Sequence, residues 1–125
     1  MLKIREGFTI IELIVVSIII GILAMIGLPQ FASSLERAKG SSARLGLKQI
    51  YRAELEYSAS RSGYYTSSIN NLSNIALTEK YWDFSISATP STSFTATATR
   101  TSGSHSGQTI NMDNLAVIDG NWEYI

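Results

Sequence analysis

Residues 8–28 read FTIIELIVVSIIIGILAMIGL, an apolar run with one charge, Glu12. As helix it spans about 31 Å at ~1.5 Å per residue, close to the hydrocarbon thickness of a bilayer. β-branched residues dominate the run and would favour strand in water. In lipid an isolated strand leaves its amides unpaired, so the pattern predicts a membrane-crossing helix. Beyond Pro29, Ala43, Leu47, Ile50, Tyr51 and Leu55 recur at three- and four-residue spacing, the stripe of an amphipathic helix. One helix is expected from residue 8 to residue 59, about 75 Å in length. Pro29 removes an amide and crowds the preceding turn, which predicts a kink or local melting at 25–29, and Gly40 is a second weak point.

The helical pattern ends at Ser58-Ala59-Ser60-Arg61-Ser62-Gly63, poor helix formers with Gly63 placed as a C-cap. Residues 63–77 predict a loop with one short helical turn. From residue 82 the period becomes two. Trp82, Phe84, Ile86 and Ala88 share one face against Asp83, Ser85 and Ser87, and after a turn at 89–92 Phe94, Ala96 and Ala98 alternate with threonines. Residues 102–108 read as a flexible Gly/Ser loop, and 109–113 as a third strand with Ile110 and Met112 inward. A tight turn at 119–121 then leads into a short fourth strand at 122–125. The apolar sheet face needs a cover, which the amphipathic part of the helix supplies. The expected fold is α+β: a long N-terminal helix, its first half membrane-spanning, with an antiparallel three- or four-stranded sheet packed on its distal half.

Composition narrows the function. The chain has 125 residues, ten basic and ten acidic side chains, one His and no Cys. That length holds one domain and one core. Zero formal net charge supplies no global basic field for nucleic acid. No Cys and a single His exclude a disulfide framework, a thiolate site and a multi-His metal centre. No catalytic constellation emerges: His105 sits in the Gly/Ser loop without a base partner and reads as a solvated side chain, and the acids are scattered. The expectation is a protein without catalytic residues, metal or cofactor.

Lys3 and Arg5 precede the apolar run, which predicts a cytoplasmic N-terminus. Glu12 lies one turn into the run, where a carboxylate costs less than the about 2.5–3.5 kcal/mol of mid-helix. It reads either as a side chain snorkelling to the membrane edge or as one kept for a partner. MLKIREG followed by FTIIELIVVSIIIGILAMIGLPQF resembles the signature of type IV prepilins and of related type II secretion pseudopilins. The resemblance covers residues 1–31: a charged leader ending in Gly7, Phe8 after it, Glu12 four residues later, an apolar run, then Pro29. It implies that a prepilin peptidase cuts between Gly7 and Phe8 and methylates the new Phe8 amine. It also implies that Glu12 serves assembly and that the helix near Pro29 unwinds in a filament. Physical chemistry agrees on Glu12: the new amine and the carboxylate are each costly in lipid, and pairing them between subunits relieves both costs.

An ordinary secretory signal fits poorly, because the run is too long, contains Glu12 and ends at bulky Gln30 and Phe31. The resemblance thus implies a structural subunit of a type IV pilus or pilus-like surface filament. Its partners would be further copies of itself, the prepilin peptidase and the inner-membrane assembly machinery. It would sit in the inner (cytoplasmic) membrane as precursor and on the cell surface in the fibre. The parts are a leader (1–7), a transmembrane and assembly helix (8–28), an amphipathic continuation (29–59) and a loop-and-sheet head (60–125). Two alternatives stay open. A secretion pseudopilin usually carries an Asp-Pro-Trp-Gly type motif before a calcium loop, which Tyr81-Trp82-Asp83-Phe84 lacks. A minor or DNA-uptake competence pilin would want a basic head. Many pilins also close a C-terminal loop with a disulfide; here Trp122 and the last strand must hold that edge by packing.

Charge is partitioned along the chain. Residues 36–61 carry six basic and three acidic side chains, net +3, and residues 79–125 carry two basic and five acidic, net −3. Arg44, Lys48 and Arg52, at i, i+4 and i+8, line one helix face. The row reads as a solvated face, as an inter-subunit patch for the acidic head of another subunit, with Asp113 and Asp119 the leading candidates, or as a DNA-binding face.

Overall fold

The computed structural model describes residues 6–77 and 79–125, so the first five positions of the expected leader, Lys3 and Arg5 included, lie outside the described residues. The elements run α1 (Ile10–Ser60), a 3-10 turn (Ile69–Asn71), β1 (Trp82–Ser87), β2 (Thr95–Arg100), β3 (Thr109–Asp113) and β4 (Ile118–Gly120). Contacts divide the chain into a unit ending at Leu35 and a unit Glu36–Ile125. The expected α+β fold is present, with a long apolar N-terminal helix and a four-stranded antiparallel sheet packed on its later residues.

In the first unit the helix passes through Pro29 without interruption. The melting expected at 25–29 is absent. A proline inside a helix forfeits its own amide bond and strains one turn, and the turns on either side hold here. None of the apolar window that is long enough to cross a membrane is buried.

In the second unit the sheet order is β1-β2-β3-β4, every neighbour antiparallel. The register places Phe84 opposite Ala98, Ala98 opposite Ile110, and Ile110 opposite Gly120. Trp82, Ala96, Ala98, Ile110 and Met112 therefore share one buried face, which packs on Ala43, Leu47 and Ile50 of α1. Phe94 and Trp122 close the two ends of this core. The helix stripe differs from its expected course at one point. Leu55 is 40% exposed, and the next core position, in register with Ala43, Leu47 and Ile50, is the fully buried Glu54. Gly63 caps the helix as expected: it is left-handed (φ 87°) and its N–H donates to the Ser58 carbonyl at 2.8 Å.

Three further expectations are corrected. The fourth strand is Ile118–Gly120 and not 122–125, and the turn before it is built by Asp113. Asp113 Oδ1 accepts the N–H groups of Leu115 and Val117, both at 2.9 Å, which folds the chain back early and pairs Asp119 with Asn111. Trp122 then turns inward, 2% exposed, instead of pairing in a strand. Gly40 is no weak point but a packing site, because a Cβ there would collide with the Trp122 ring. Gly46 does the same for the Phe84 ring. His105, read as solvated, has a side chain only 14% exposed.

Candidate assembly site

The start of α1 is organised by Thr9 and Glu12. Glu12 Oε2 accepts the Thr9 N–H at 2.8 Å and the Thr9 hydroxyl at 2.9 Å, and the Thr9 hydroxyl oxygen accepts the Glu12 N–H at 3.2 Å. This reciprocal pattern is a capping box, Thr at the N-cap and Glu three residues on. The Thr9-x-x-Glu12 spacing is present in the sequence, but the membrane context drew attention to the carboxylate alone. Among the described residues Glu12 Oε1 has no hydrogen-bond partner. One oxygen therefore fixes the helix start while the other is available to a donor from outside the chain.

Around this point the surface is apolar. Phe8, Ile11, Val15 and Val16 line a shallow groove with Glu12. Phe8 is 82% exposed and Leu28, just before Pro29, 69%. Gly7, at the expected cleavage point, has open space around it. An apolar face of this length with one carboxylate near its start matches a bilayer or the helices of neighbouring copies.

The second unit carries the charged groups. Arg44 lies in a groove with Asp119 of its own chain, while Lys48 and Arg52 are exposed on the same helix face. The two acids expected to meet this row from a neighbour already have partners at home. Asp113 holds its own turn, and Asp119 accepts the Asn111 side-chain N–H at 2.9 Å. The densest charge cluster is elsewhere, at Glu36. Its Oε1 pairs with Lys39 at 2.9 Å and with Arg100 at 3.3 Å, and Arg100 is only 4% exposed. Burial pushes the Glu36 carboxyl up, but the hydrogen bonds and charges of Lys39 and Arg100 together outweigh it and hold the group below its ordinary value. His105 Nε2 lies 3.0 Å from Glu123 and its Nδ1 lies 3.7 Å from Glu36. The Glu36–Lys39 pair has the i,i+3 spacing of a helix face, but no local spacing betrays Arg100, which the fold of the sheet brings to Glu36.

The other buried carboxyl is Glu54. Its Oε2 accepts the Thr66 N–H at 3.0 Å, and its Oε1 is buried without a partner among the described residues. Burial pushes the carboxyl up, and the Thr66 bond offsets this only in part. The contact ties α1 to the loop that follows it.

No family model matches the chain, and no solved structure matches it. Among curated proteins the chain is similar to the type IV major pilin protein PilA of Myxococcus xanthus (strain DK1622), with 43% identity over 60 residues. The match covers 48% of this chain and 27% of that protein, so the aligned stretch spans about a quarter of the relative's length. Together with the apolar helix and the four-stranded sheet packed on its later part, this likeness supports a place for the chain in the type IV pilin family.

Proposed function

We propose that the chain is a structural subunit of a type IV pilus or pilus-like filament. It is held in the membrane as a precursor, cut between Gly7 and Phe8 by a prepilin peptidase and N-methylated on Phe8. The assembly machinery then polymerises it through its N-terminal helix into a surface fibre. The observation that carries this reading is the wholly exposed apolar helix with Glu12 near its start, one oxygen engaged by Thr9 and the other without a partner among the described residues. In a filament that oxygen takes the Phe8 amine of the adjacent subunit, and Pro29 marks where the helix adjusts as subunits pack. Cleavage licenses the pairing, because no amine exists at Phe8 before it.

Mass spectrometry of sheared filaments tests the processing. The subunit is expected to begin at Phe8 and to carry one added methyl group; an intact Met1 start in assembled fibres would overturn it. Glu12→Val tests the pairing against the capping role. Both Thr9→Val and Glu12→Val break the capping box, a loss of about 1 kcal/mol. Only Glu12→Val removes the partner of the amine. Filaments lost in Glu12→Val but retained in Thr9→Val support the pairing, and equal yields from the two variants reject it.

A further inference from the structure

His105 is the one histidine of the chain. It lies in the loop between β2 and β3, with α1 on one side and the C-terminal tail on the other. Its Nε2 lies 3.0 Å from Glu123 Oε2 of the tail. Its Nδ1 lies 3.2 Å from the Ser104 hydroxyl oxygen and 3.7 Å from Glu36 Oε2 of α1. The Tyr124 ring packs on the imidazole at 5.5 Å and 63°. The cations nearby are committed to other groups. Lys39 of α1 and Arg100 at the end of β2 both reach Glu36 Oε1, and the Arg37 guanidinium of α1 lies 6.0 Å from the Tyr124 ring. Among the described residues Glu123 has no ion-pair partner besides His105.

A neutral imidazole carries one N–H and one lone pair. With the proton on Nε2 the ring donates to Glu123, and Nδ1 can only accept from Ser104, beside the Glu36 carboxylate. With the proton on Nδ1, a lone pair meets the Glu123 carboxylate at 3.0 Å. Only the doubly protonated ring offers an N–H to both acids. The tail has few other fastenings near this point. The Asn121 and Trp122 N–H groups donate to the Thr109 carbonyl, each at 3.2 Å, and the Glu123 N–H donates to Gln108 Oε1 at 3.2 Å.

We propose that His105 is a proton-operated latch that fastens the C-terminal tail to α1 and to the loop between β2 and β3. In mildly acid medium the imidazolium bridges Glu123 of the tail and Glu36 of the helix. As pH rises through the range in which histidine loses its charge, the bridge falls to a single neutral hydrogen bond. Residues 123–125 and the loop then open more often while the sheet stays folded. Both partners are acids, so the fastening belongs to the charged ring: it is present at low pH and lost as pH rises. The latch operates within a single chain and does not depend on the polymer reading.

Hydrogen exchange of the full-length chain in detergent micelles, read by mass spectrometry and corrected for the intrinsic rate at each pH, tests this. Glu123 is largely exposed, and such pairs are weak. Protection of peptides covering 101–108 and 121–125 is therefore expected to fall only about twofold to fivefold between about pH 5 and pH 8. The fall should follow the titration of the imidazole, which gives one histidine signal by NMR, and a β2 peptide should keep its protection. His105→Gln keeps a neutral hydrogen-bonding side chain, and should hold at both ends of the range the protection that the wild type shows at high pH. Glu123→Gln should shrink the fall while Glu36 still faces the ring. Wild-type protection that does not change across this range would overturn the latch. So would a fall that persists in His105→Gln, which assigns it to a carboxyl such as Glu54. Coincident curves for the wild type and Glu123→Gln overturn the bridge to the tail.

Discussion

Glu54 and Glu36 pull the acid–base behaviour of the second unit in opposite directions. Glu54 is fully buried and its carboxyl is raised by that burial. The folded state keeps its proton to higher pH than the unfolded chain does. Its contribution to stability is complete below the ordinary carboxylate value and is lost as pH rises through the raised one. Glu36 is held low by Lys39 and Arg100. Its contribution is present above the ordinary value and is lost as pH falls through the lowered one. Urea midpoints across pH are therefore expected to peak between the two. Glu54→Gln should flatten the decline on the alkaline side and leave the acid side intact; an unchanged alkaline slope would remove Glu54 as its cause. Gly40 gives a second expectation. Ala would gain about 1 kcal/mol of helix propensity, but its methyl runs into the Trp122 ring, and overpacking of this kind costs about 1–3 kcal/mol. A net loss is expected for Gly40→Ala, read as a lower urea midpoint. Neither residue declares its role in the sequence. The spacing of Ala43, Leu47 and Ile50 points straight at position 54, but a glutamate there reads as solvent-facing. A helical glycine reads as a weakness until the ring that needs the space is known.

Among the elements, the short connection from β3 to β4 depends most on one side chain. Asp113 Oδ1 takes two amides of its own turn, and its N–H donates to the Val117 carbonyl at 3.1 Å. Asp113→Ala should cost about 1–3 kcal/mol, counting two partly exposed hydrogen bonds at about 0.5–1.5 kcal/mol each. Faster amide exchange at Leu115 and Val117, with exchange at Ala98 unchanged, would locate the loss in this turn. Strands β1, β2 and β3 were readable because their alternation is regular and their core faces apolar. The fourth was displaced because Asp119-Gly120-Asn121 looks like turn chemistry. The real turn residue, Asp113, acts through an oxygen that closes the backbone, and composition does not mark it. The long helix was readable from its apolar run and its stripe. Its start was half read, as Glu12 without Thr9.

Across the whole molecule, every member of the buried core cluster lies in Glu36–Ile125, the earliest being Ala43. The residues before it expose their apolar side chains. A fragment of residues 36–125 is accordingly expected to be soluble and to unfold in one cooperative urea transition, with near-UV circular dichroism of a fixed core. A broad, non-cooperative transition would show that the preceding helix is needed for folding. The division into an apolar segment and a sheet-bearing part was legible because hydropathy changes abruptly after Pro29. The ion-pair cluster of Glu36, Arg100, His105 and Glu123 was not, because its members come from three separate stretches of chain: α1, the end of β2 with the loop after it, and the C-terminal tail.

Trp82 and Trp122 are the two tryptophans of the chain. Their rings meet edge to face at 5.5 Å and 81°, each 2% exposed, with the Trp82 indole N–H on the Lys39 carbonyl at 2.9 Å and the Trp122 ring against Gly40. All the indole signal of the protein therefore originates at one place, the clasp between α1, the sheet and the C-terminal tail. Emission from the native chain should be blue and poorly quenched by iodide. Opening of that clasp, even without loss of helix, would appear as a red shift. The protein carries its own optical gauge of whether its last residues are seated on the helix.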